Sequence, residues 1–284
     1  MPNIINKVSI ITLTYNNHND LIKTIESVAN QKLPKDVSIE YIIADDGSLD
    51  FDLEYYVAKL KSFPELLGSK VYKNEENLGT VKSFNKAIKI SSGELIVPLS
   101  CSDVFASDDV LLQIVNYFQQ NDELLALGKS LTVNNEEILS EYQEKLILGD
   151  TDSILKEIVL RKNFLSGACT YYTRRLLDDY GLFDEGYSLL EDFPFYVNIL
   201  NDGVKIGYIS QPCIKYDDNG VSKSGSLHPK LVSDLKRLRS HILEMNILTK
   251  EEREYFLFWK LWSVREKIRH PIIAIKQLVK KYVK

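Results

Sequence analysis

The sequence predicts an α/β fold around a mostly parallel sheet, because strand-like and helix-like segments alternate through its first half. Apolar runs rich in β-branched residues, at 8–13 and 38–44, predict buried strands. Segments 20–29 and 80–90 carry apolar residues at helical spacing. Strand and helix in this order imply right-handed crossovers between parallel strands. The polar clusters that follow the strands should therefore meet at one edge of the sheet, where α/β proteins bind ligands.

The remaining elements complete the same pattern. Further strands are predicted at 70–73, 94–99 and 205–210, and further helices at 52–60, 108–120, 151–160 and 174–179. After residue 226 the pattern is helical to the end, except at His270-Pro271, because proline cannot continue a helix. We therefore expect an α/β domain over residues 1–226 and a helical C-terminal extension over residues 227–284.

The composition is that of an ordinary globular protein. With 284 residues, 44% of them hydrophobic and 26% charged, the chain suits one large domain with an appendage. Its three cysteines cannot all pair and none stands in a CxxC arrangement, which argues against a disulfide framework or a zinc site. We find no signal peptide and no apolar run of the roughly 18–20 residues that cross a bilayer, so we expect a cytoplasmic protein.

The charge is unevenly distributed along the chain. The net charge is -5, yet residues 251–284 contain nine Lys or Arg and only four Glu. The body of the chain is therefore acidic and would repel phosphates, which argues against nucleic acid as a partner. The basic tail also carries apolar residues at helical spacing, namely Leu257, Leu261, Val264 and Ile268, then Ile272, Ile275, Val279 and Tyr282, with Trp259 and Trp262 nearby.

Two interpretations of this tail stay open. Basic amphipathic helices suit peripheral contact with an anionic membrane, here the inner face of the plasma membrane. The same stripes suit packing on the main domain or on the twin subunit of a homodimer equally well, because such stripes usually belong to a core.

Two phosphate-binding motifs are excluded. A dinucleotide-binding domain would place G-x-G-x-x-G after the first strand, and a P-loop needs glycines followed by Gly-Lys-Ser/Thr. The residues at 14–19 are TYNNHN, without a glycine.

Four short runs together resemble a known family. They are VSIITLTYN from residue 8, IIADDGS from residue 42, NEENLGTVKSFNKAIKISSGELI from residue 74 and LEDFPFY from residue 190. In this order they resemble the family 2 glycosyltransferases, over roughly residues 8–226. The resemblance implies a GT-A fold, in which helices flank a mostly parallel mixed sheet. It also implies inverting transfer of a sugar from a nucleoside diphosphate, expected to be UDP, to a hydroxyl of a saccharide or lipid-linked acceptor, in the synthesis of a cell-surface polysaccharide such as a capsule.

The first three runs would bind the nucleotide. Carboxylates accept hydrogen bonds well from a base edge and from ribose hydroxyls, so Asp46 is expected to bind the base or ribose, while Asp45 and Gly47 shape the turn. The alternative is a strand-ending Asx turn that binds no ligand. The nucleotide-binding residues are predicted as Thr14, Tyr15, Asn16, Asp45, Asp46, Asn77, Gly79 and Ser102.

The run SCSD at residues 100–103 departs from the family pattern. The family usually carries Asp-x-Asp or Asp-x-Asp-Asp here, which holds Mg²⁺ or Mn²⁺ against the diphosphate. Ser100 and Ser102 stand where the first two aspartates would be, and only Asp103 remains acidic. The resemblance therefore implies a divalent metal bound by Asp103 with weakened affinity. The alternative is that Ser102 or Asp103 caps a helix.

The pair Glu191-Asp192 matches the Glu-Asp motif of the family. An inverting transfer needs a base that takes the proton from the acceptor hydroxyl, and the resemblance gives this role to Asp192. Glu191 would shape the site or bind acceptor hydroxyls, and Gly167 and Ala168 would line the acceptor pocket. Apolar neighbours should raise the pKa of the base. The alternative is an acidic first turn favoured by the helix dipole.

Other residues and functions receive weaker interpretations. His18 and Asn85 are expected to be solvent-exposed, and Lys223 and His228 to lie in a linker, with contact to the diphosphate as the alternative. Because positions 100 and 102 lack aspartate, a catalytically inactive sugar-nucleotide-binding or scaffolding partner is the rival function. A nucleotidyltransferase is a second rival, but the glycine-rich first loop of such enzymes is missing.

Overall fold

The computed structural model describes residues 2–132, 134–216 and 228–282. Lys223 and the predicted domain boundary after residue 226 lie outside the described residues. In the described part, the strands are β1 (Lys7–Thr14), β2 (Ser38–Asp45), β3 (Lys70–Lys73), β4 (Leu95–Pro98), β5 (Val104–Phe105), β6 (Leu125–Thr132), β7 (Thr170–Thr173) and β8 (Ile206–Tyr216).

The eight strands form one mixed sheet in the order β3-β2-β1-β4-β7-β6-β8-β5. The first four of this order are mutually parallel. β7 runs antiparallel to both β4 and β6, β8 is parallel to β6, and the short β5 is antiparallel to β8. The predicted α/β class with a mostly parallel mixed sheet is therefore confirmed.

The described residues form α-helices on both sides of the sheet and beyond it. They are α1 (Leu21–Ala29), α2 (Leu53–Lys61), α3 (Thr80–Ile90), α4 (Val110–Gln120), α5 (Glu141–Ile147), α6 (Thr151–Lys156), α7 (Arg174–Tyr180), α8 (Asp192–Asn201), α9 (Pro229–Glu244), α10 (Lys250–Phe256), α11 (Val264–Arg269) and α12 (Pro271–Tyr282). π-helical turns continue α6 over Glu157–Arg161 and α10 over Leu257–Leu261.

The predicted elements of the first half agree with the structure to within about two residues at each end, which is the usual uncertainty of helix and strand boundaries. The second half departs further. β6 and β7 were not predicted, and β8 continues to Tyr216 instead of ending at residue 210. β7 has only four residues, too few for a period to show. β6 carries Gly128 and Lys129 where its pairing with β8 shifts register, which interrupts the strand pattern.

Helices cover both faces of the sheet at its centre. Residues 41–46 of β2 and the loop after it are all buried, so neighbouring side chains on opposite faces are both shielded from water. The parallel register pairs Thr14 with Asp45, which places the carboxyl ends of β1 and β2 side by side. The polar loops after these strands therefore share one edge of the sheet.

The C-terminal helices divide into a packed part and an exposed part. Leu238 and Ile242 of α9 and Phe256 of α10 are buried in the main hydrophobic core. Beyond them the predicted stripe from Leu257 to Ile268 does not form one helix face, because the chain leaves the helix at Trp262 and Ser263 caps α11. None of the helices in the described ranges is long and apolar enough to span a membrane.

Candidate functional site

A cleft of about 540 Å³ opens where β1 and β4 end. Its walls come from the loops after β1, β2 and β4, from the N-terminus of α3, from the loop before α8 and from the start of α9. The predicted site residues that line it are Thr14, Tyr15, Asp46, Asn77, Gly79, Ser102 and Glu191, together with Gly167, Ala168 and His228. The structure thus brings most of the predicted site together, and it includes His228, for which the sequence favours a linker. Asn16, Asp45, Asp103 and Asp192 do not line the cleft.

Asp45 and Asn16 shape the loops at the end of β1 and β2. Asp45 is fully buried, and its carboxylate accepts hydrogen bonds from the N–H of Gly47 at 3.1 Å and of Ser48 at 2.8 Å, and from the Ser48 hydroxyl at 2.6 Å. The Ser48 hydroxyl in turn accepts the N–H of Asn16 at 2.8 Å, so the two loops are tied together. Gly47 has φ +85°, and a Cβ there would lie 2.6 Å from the carbonyl carbon of Glu76, so glycine is required.

Asp46 connects the loop after β2 to the start of α3 through four hydrogen bonds. Its Oδ1 accepts hydrogen bonds from Asn74 Nδ2 at 2.9 Å, from the Leu78 N–H at 3.0 Å and from the Ser83 hydroxyl at 2.5 Å. Its Oδ2 accepts the Gly79 N–H at 2.9 Å. A carboxylate offers about four acceptor positions, so Oδ1 is saturated while Oδ2 keeps a lone pair. Asp46 therefore anchors the start of α3, and its Oδ2 can still accept one hydrogen bond from a ligand in the cleft.

The first turn of α3 contacts the loop that carries the acidic pair. Gly79 has φ +86°, and a Cβ on it would lie 2.8 Å from the carbonyl oxygen of Ser188. The N–H of Val81 points at the same oxygen from 3.5 Å. The start of α3 therefore lies between the loop after β2 and the loop before α8 in the cleft wall. Gly79 is required at the tightest of these contacts.

Glu191 and Asp192 lie half-buried where α8 begins. Glu191 lines the cleft directly. Asp192 accepts the N–H of Gly167 on Oδ2 at 3.1 Å and the N–H of Phe193 on Oδ1 at 2.6 Å. Because Gly167 lines the cleft, this hydrogen bond places the Asp192 carboxylate next to the cleft wall. Glu191 and Asp46 thus line the same cleft, with Asp192 next to its wall.

Burial raises the pKa of both acidic side chains above the ordinary carboxyl range. For Glu191 the nearby charge of Asp192 raises the pKa further, whereas the two backbone N–H groups on Asp192 hold its pKa down. Because the charge of Asp192 acts on Glu191, the two carboxyl groups titrate as a coupled pair. A pair with raised pKa values can accept a proton near neutral pH, as a general base requires.

Helix α9 holds the loop that leads to the acidic pair. Asp234 is only 5% exposed, and its Oδ2 accepts the N–H of Ser188 at 3.0 Å and of Leu189 at 2.8 Å. One turn later, Arg237 donates to the carbonyl of Gly186 at 2.7 Å and lies over the Tyr187 ring at 4.8 Å. The sequence did not single out Asp234 or Arg237, because only the fold brings α9 against a loop some 45 residues upstream.

The loop after β4 does not form a metal site by itself. Ser100, Cys101 and Ser102 line the cleft, whereas Asp103 is 4% exposed and lies behind it, its carbonyl accepting from the Thr24 hydroxyl at 3.1 Å. Among the described residues there is no group of three or more His, Cys, Asp or Glu side chains that could hold a metal ion. The side chains present therefore do not fit a preformed Mg²⁺ or Mn²⁺ centre. The assignment of Asp103 as a metal ligand stays a prediction.

Two residues that were expected to be exposed are buried, so those expectations were wrong. His18 is 9% exposed and packs edge-on against the Phe51 ring at 5.6 Å. Asn85 is 1% exposed, and its side chain donates to the carbonyl of Phe183 at 2.8 Å and accepts its N–H at 3.2 Å. Asn85 thereby links α3 to the segment before the acidic pair. Both errors arise because residues distant in sequence cover the side chains.

The chain matches known glycosyltransferases along most of its length. The sequence profile described as glycosyl transferase family 2 matches residues 9–181. An uncharacterized glycosyltransferase of Haemophilus influenzae is 24% identical over 82% of this chain and 72% of its own. The poly(ribitol-phosphate) β-N-acetylglucosaminyltransferase TarP of Staphylococcus aureus is 26% identical over 72% of this chain and 66% of its own. A poly(ribitol-phosphate) β-glucosyltransferase of Bacillus spizizenii is 30% identical, but over 45% of this chain and only 20% of its own.

Solved structures confirm the expected fold. S. aureus TarS residues 1–349 in complex with UDP superpose with a TM-score of 0.66 at 20% identity, over 92% of this chain and 73% of that one. A mannosyltransferase of Pyrobaculum calidifontis in complex with GDP-Man and Mn²⁺ gives a TM-score of 0.63 at 16% identity, over 86% of this chain and 66% of that one. The fold, the order of the motifs and the profile match lead to one assignment. The chain belongs to glycosyltransferase family 2 and has the GT-A fold.

Proposed function

We propose that this glycosyltransferase moves a sugar from a UDP-sugar to a hydroxyl of a saccharide or lipid-linked acceptor, with inversion at the anomeric carbon. The observation that carries the proposal is the cleft, in which the Asp46 loop and Glu191 face one shared space. Asp46 offers an acceptor of hydrogen bonds for a nucleoside, and the acidic pair offers a proton acceptor for an attacking hydroxyl. The solved complex of TarS with UDP-GlcNAc supports UDP as the nucleotide.

The donor would lie along the wall formed by the loops after β1 and β2. Asp46 Oδ2 keeps one lone pair for a ribose hydroxyl or a base N–H. Tyr15 is 47% exposed at the cleft and offers a ring for base stacking. Thr14, Asn77, Gly79 and Ser102 complete the nucleotide subsite, and Asp45 and Asn16 support it through the Ser48 hydrogen bonds.

The acidic pair would perform the proton transfer. The acceptor hydroxyl oxygen attacks the anomeric carbon from the face opposite the nucleoside diphosphate, and Asp192 takes its proton. As the new C–O bond forms, the bond to the diphosphate breaks and the electron pair leaves with the nucleotide. Glu191 would hold the acceptor hydroxyls and share the proton with Asp192, because the two carboxyl groups titrate together. The N–H of Gly167 orients the Asp192 carboxylate for this role.

The departing diphosphate needs positive charge close to it. Lys230 and His228, at the start of α9, both line the cleft, and Lys230 was not singled out from the sequence. We propose that they bind the diphosphate directly.

The acceptor and the biological process are proposed from the relatives. TarP and the Bacillus enzyme are named for sugar transfer to poly(ribitol-phosphate). A role in cell-surface polysaccharide synthesis, at the cytoplasmic face of the membrane, suits those relatives and the basic C-terminal helices.

A donor screen tests the proposal. UDP-, GDP-, ADP- and CMP-sugars are titrated while the melting temperature and nucleotide release are followed, with Mg²⁺, Mn²⁺ or EDTA. We expect UDP-sugars to raise the melting temperature and to release UDP. Asp192→Asn should keep donor binding and lose at least about 100-fold in turnover. Binding without release by the wild-type protein, with acceptors supplied, would favour the inactive partner instead, and binding of no sugar nucleotide would contradict both functions.

A further inference from the structure

A second, smaller cavity lies behind the acidic pair, away from the cleft lining described above. It has a volume of about 70 Å³ and is bounded by the π-helical turn after α6, the start of α8, and helices α9 and α10. Its lining is apolar except for Asn163 and three cationic residues, Arg161, Arg239 and Lys260. No acidic side chain lines it. Phe193, which follows Asp192, forms part of its wall.

Two of these cations lack counter-charges. Arg239 and Lys260 are half-buried, and among the described residues neither forms an ion pair. Lys260 donates to the carbonyl of Arg161, which leaves two of its three N–H donors for another acceptor. Half-buried cations without a carboxylate are costly, because burial removes part of their hydration and the like charges repel. Burial lowers the pKa of both groups, and for Lys260 the charge of Arg239 lowers it further.

We propose that this cavity binds a phosphate-type oxyanion between Arg239 and Lys260. A water molecule occupies about 30 Å³ in the liquid, so the cavity accommodates a group of roughly two waters' volume, such as a phosphate. The guanidinium of Arg239 and the ammonium of Lys260 provide the two cationic donor types that bind phosphate oxygens. Arg161 and Asn163 also line the cavity and add donors, and the remaining lining residues are apolar.

The phosphate could belong to a soluble molecule or to a lipid headgroup, and the recognition chemistry is the same for both. The site is separate from the donor-binding proposal, since none of its residues lines the main cleft. A negative result in the phosphate test would therefore not bear on the proposed transfer reaction. A negative result in the donor screen would not bear on this phosphate site.

Inorganic phosphate is the probe for the experiment. The melting temperature of the full chain is followed from 0 to 20 mM phosphate, at ionic strength fixed with NaCl so that screening stays constant. We expect a rise of about 2–4 °C once phosphate exceeds its dissociation constant roughly tenfold. Arg239→Gln and Lys260→Gln should each abolish most of this rise, and Arg239→Lys should keep part of it because the charge remains. Lys61→Gln, on the exposed end of α2, is the matched control and should respond like the wild type.

The lipid arm uses sedimentation with vesicles of phosphatidylcholine with or without phosphatidic acid. Binding to phosphatidic acid that depends on Arg239 identifies a headgroup as the source, and a response to free phosphate alone identifies a soluble ligand. The proposal is overturned if the wild type and Arg239→Gln respond equally to phosphate. It is also overturned if Lys230→Gln, in the main cleft, removes the rise and Arg239→Gln does not.

Discussion

At the scale of single residues, the hydrogen bonds to Asp46 should contribute measurably to the free energy of unfolding. Its carboxylate receives four hydrogen bonds from Asn74, Leu78, Gly79 and Ser83. Asp46→Asn replaces an acceptor by an NH₂ group that faces donors, and should lower the free energy of unfolding by about 2–3 kcal/mol. Ser83→Ala removes one donor only and should cost about 1 kcal/mol. Urea denaturation measures both values. Equal losses in the two variants would show that the carboxylate is not the organising group.

Glu191 provides a test of the pH response of the site. Its pKa in the folded state is raised by burial and by Asp192, whereas the pKa of an unfolded glutamate is about 4.3. Such a group stabilises the fold while it is protonated, so the stability it contributes is lost as pH rises from the unfolded towards the folded pKa. Glu191→Gln should therefore melt higher than the wild type at pH 8 and no higher at pH 4. The exposed Glu54→Gln serves as the control.

The same substitution also provides a kinetic test. Asp192 has the lower of the two raised pKa values, so it loses its proton while Glu191 is still neutral. Glu191→Gln should therefore leave the rising limb of kcat against pH in place if Asp192 is the base. A limb that disappears or moves would assign the proton transfer to Glu191.

Ser102 offers a gain-of-function test of the altered acidic motif. Its backbone already has φ +81°, a conformation that aspartate tolerates better than most residues, and its side chain lines the cleft. Ser102→Asp should therefore add a carboxylate without distortion and tighten Mn²⁺ binding in the presence of UDP by about tenfold, or ~1.4 kcal/mol. Titration calorimetry measures the change. An unchanged affinity, alongside an unchanged Ser102→Asn control, would argue that this loop does not approach the metal.

At the scale of elements, α9 acts as a support for the loop before α8. Asp234 accepts two backbone N–H groups two and three residues ahead of Glu191. Asp234→Asn should loosen this loop, so we expect kcat to fall about tenfold while the dissociation constant of the donor stays the same. Asp234→Glu should restore part of the rate, and the exposed Asp178→Asn should have no effect. A loss of donor affinity equal to the loss of kcat would indicate general damage to the fold.

At the scale of the whole molecule, α11 and α12 leave an apolar surface uncovered. Val264 is 75% exposed, Ile268 73%, Ile272 83% and Ile275 63%. The surrounding sequence is basic, which favours an anionic membrane as the covering surface. Ile272→Glu combined with Ile275→Glu should abolish co-sedimentation with phosphatidylglycerol vesicles, while Leu67→Glu, equally exposed elsewhere, should not. Loss of a dimer in analytical ultracentrifugation, without any vesicle binding by the wild type, would assign the surface to self-association.

The sequence predicted those parts of the molecule whose causes are local. β1, β2 and α3 are long apolar patterns with polar ends, so their positions and the cleft residues at their ends could be found. β7 could not, because four residues have no visible period and the strand depends on partners in β4 and β6. Asp234 and Asn85 were missed for the same reason, since their hydrogen bonds reach loops about 45 and 98 residues away.

The support from α9 also constrains how the enzyme is made. The loop before α8 precedes Asp234 by some 45 residues, so it is synthesised first, and folding during synthesis proceeds from the N-terminus. A nascent chain that ends before α9 contains every residue of the Asp46 loop but lacks the carboxylate that holds the Ser188 and Leu189 amides. The part that carries Asp46 can therefore form first, and the loop before Glu191 and Asp192 becomes organised only after α9 has been synthesised. Any chimera of this glycosyltransferase should accordingly exchange α9 together with the loop before α8.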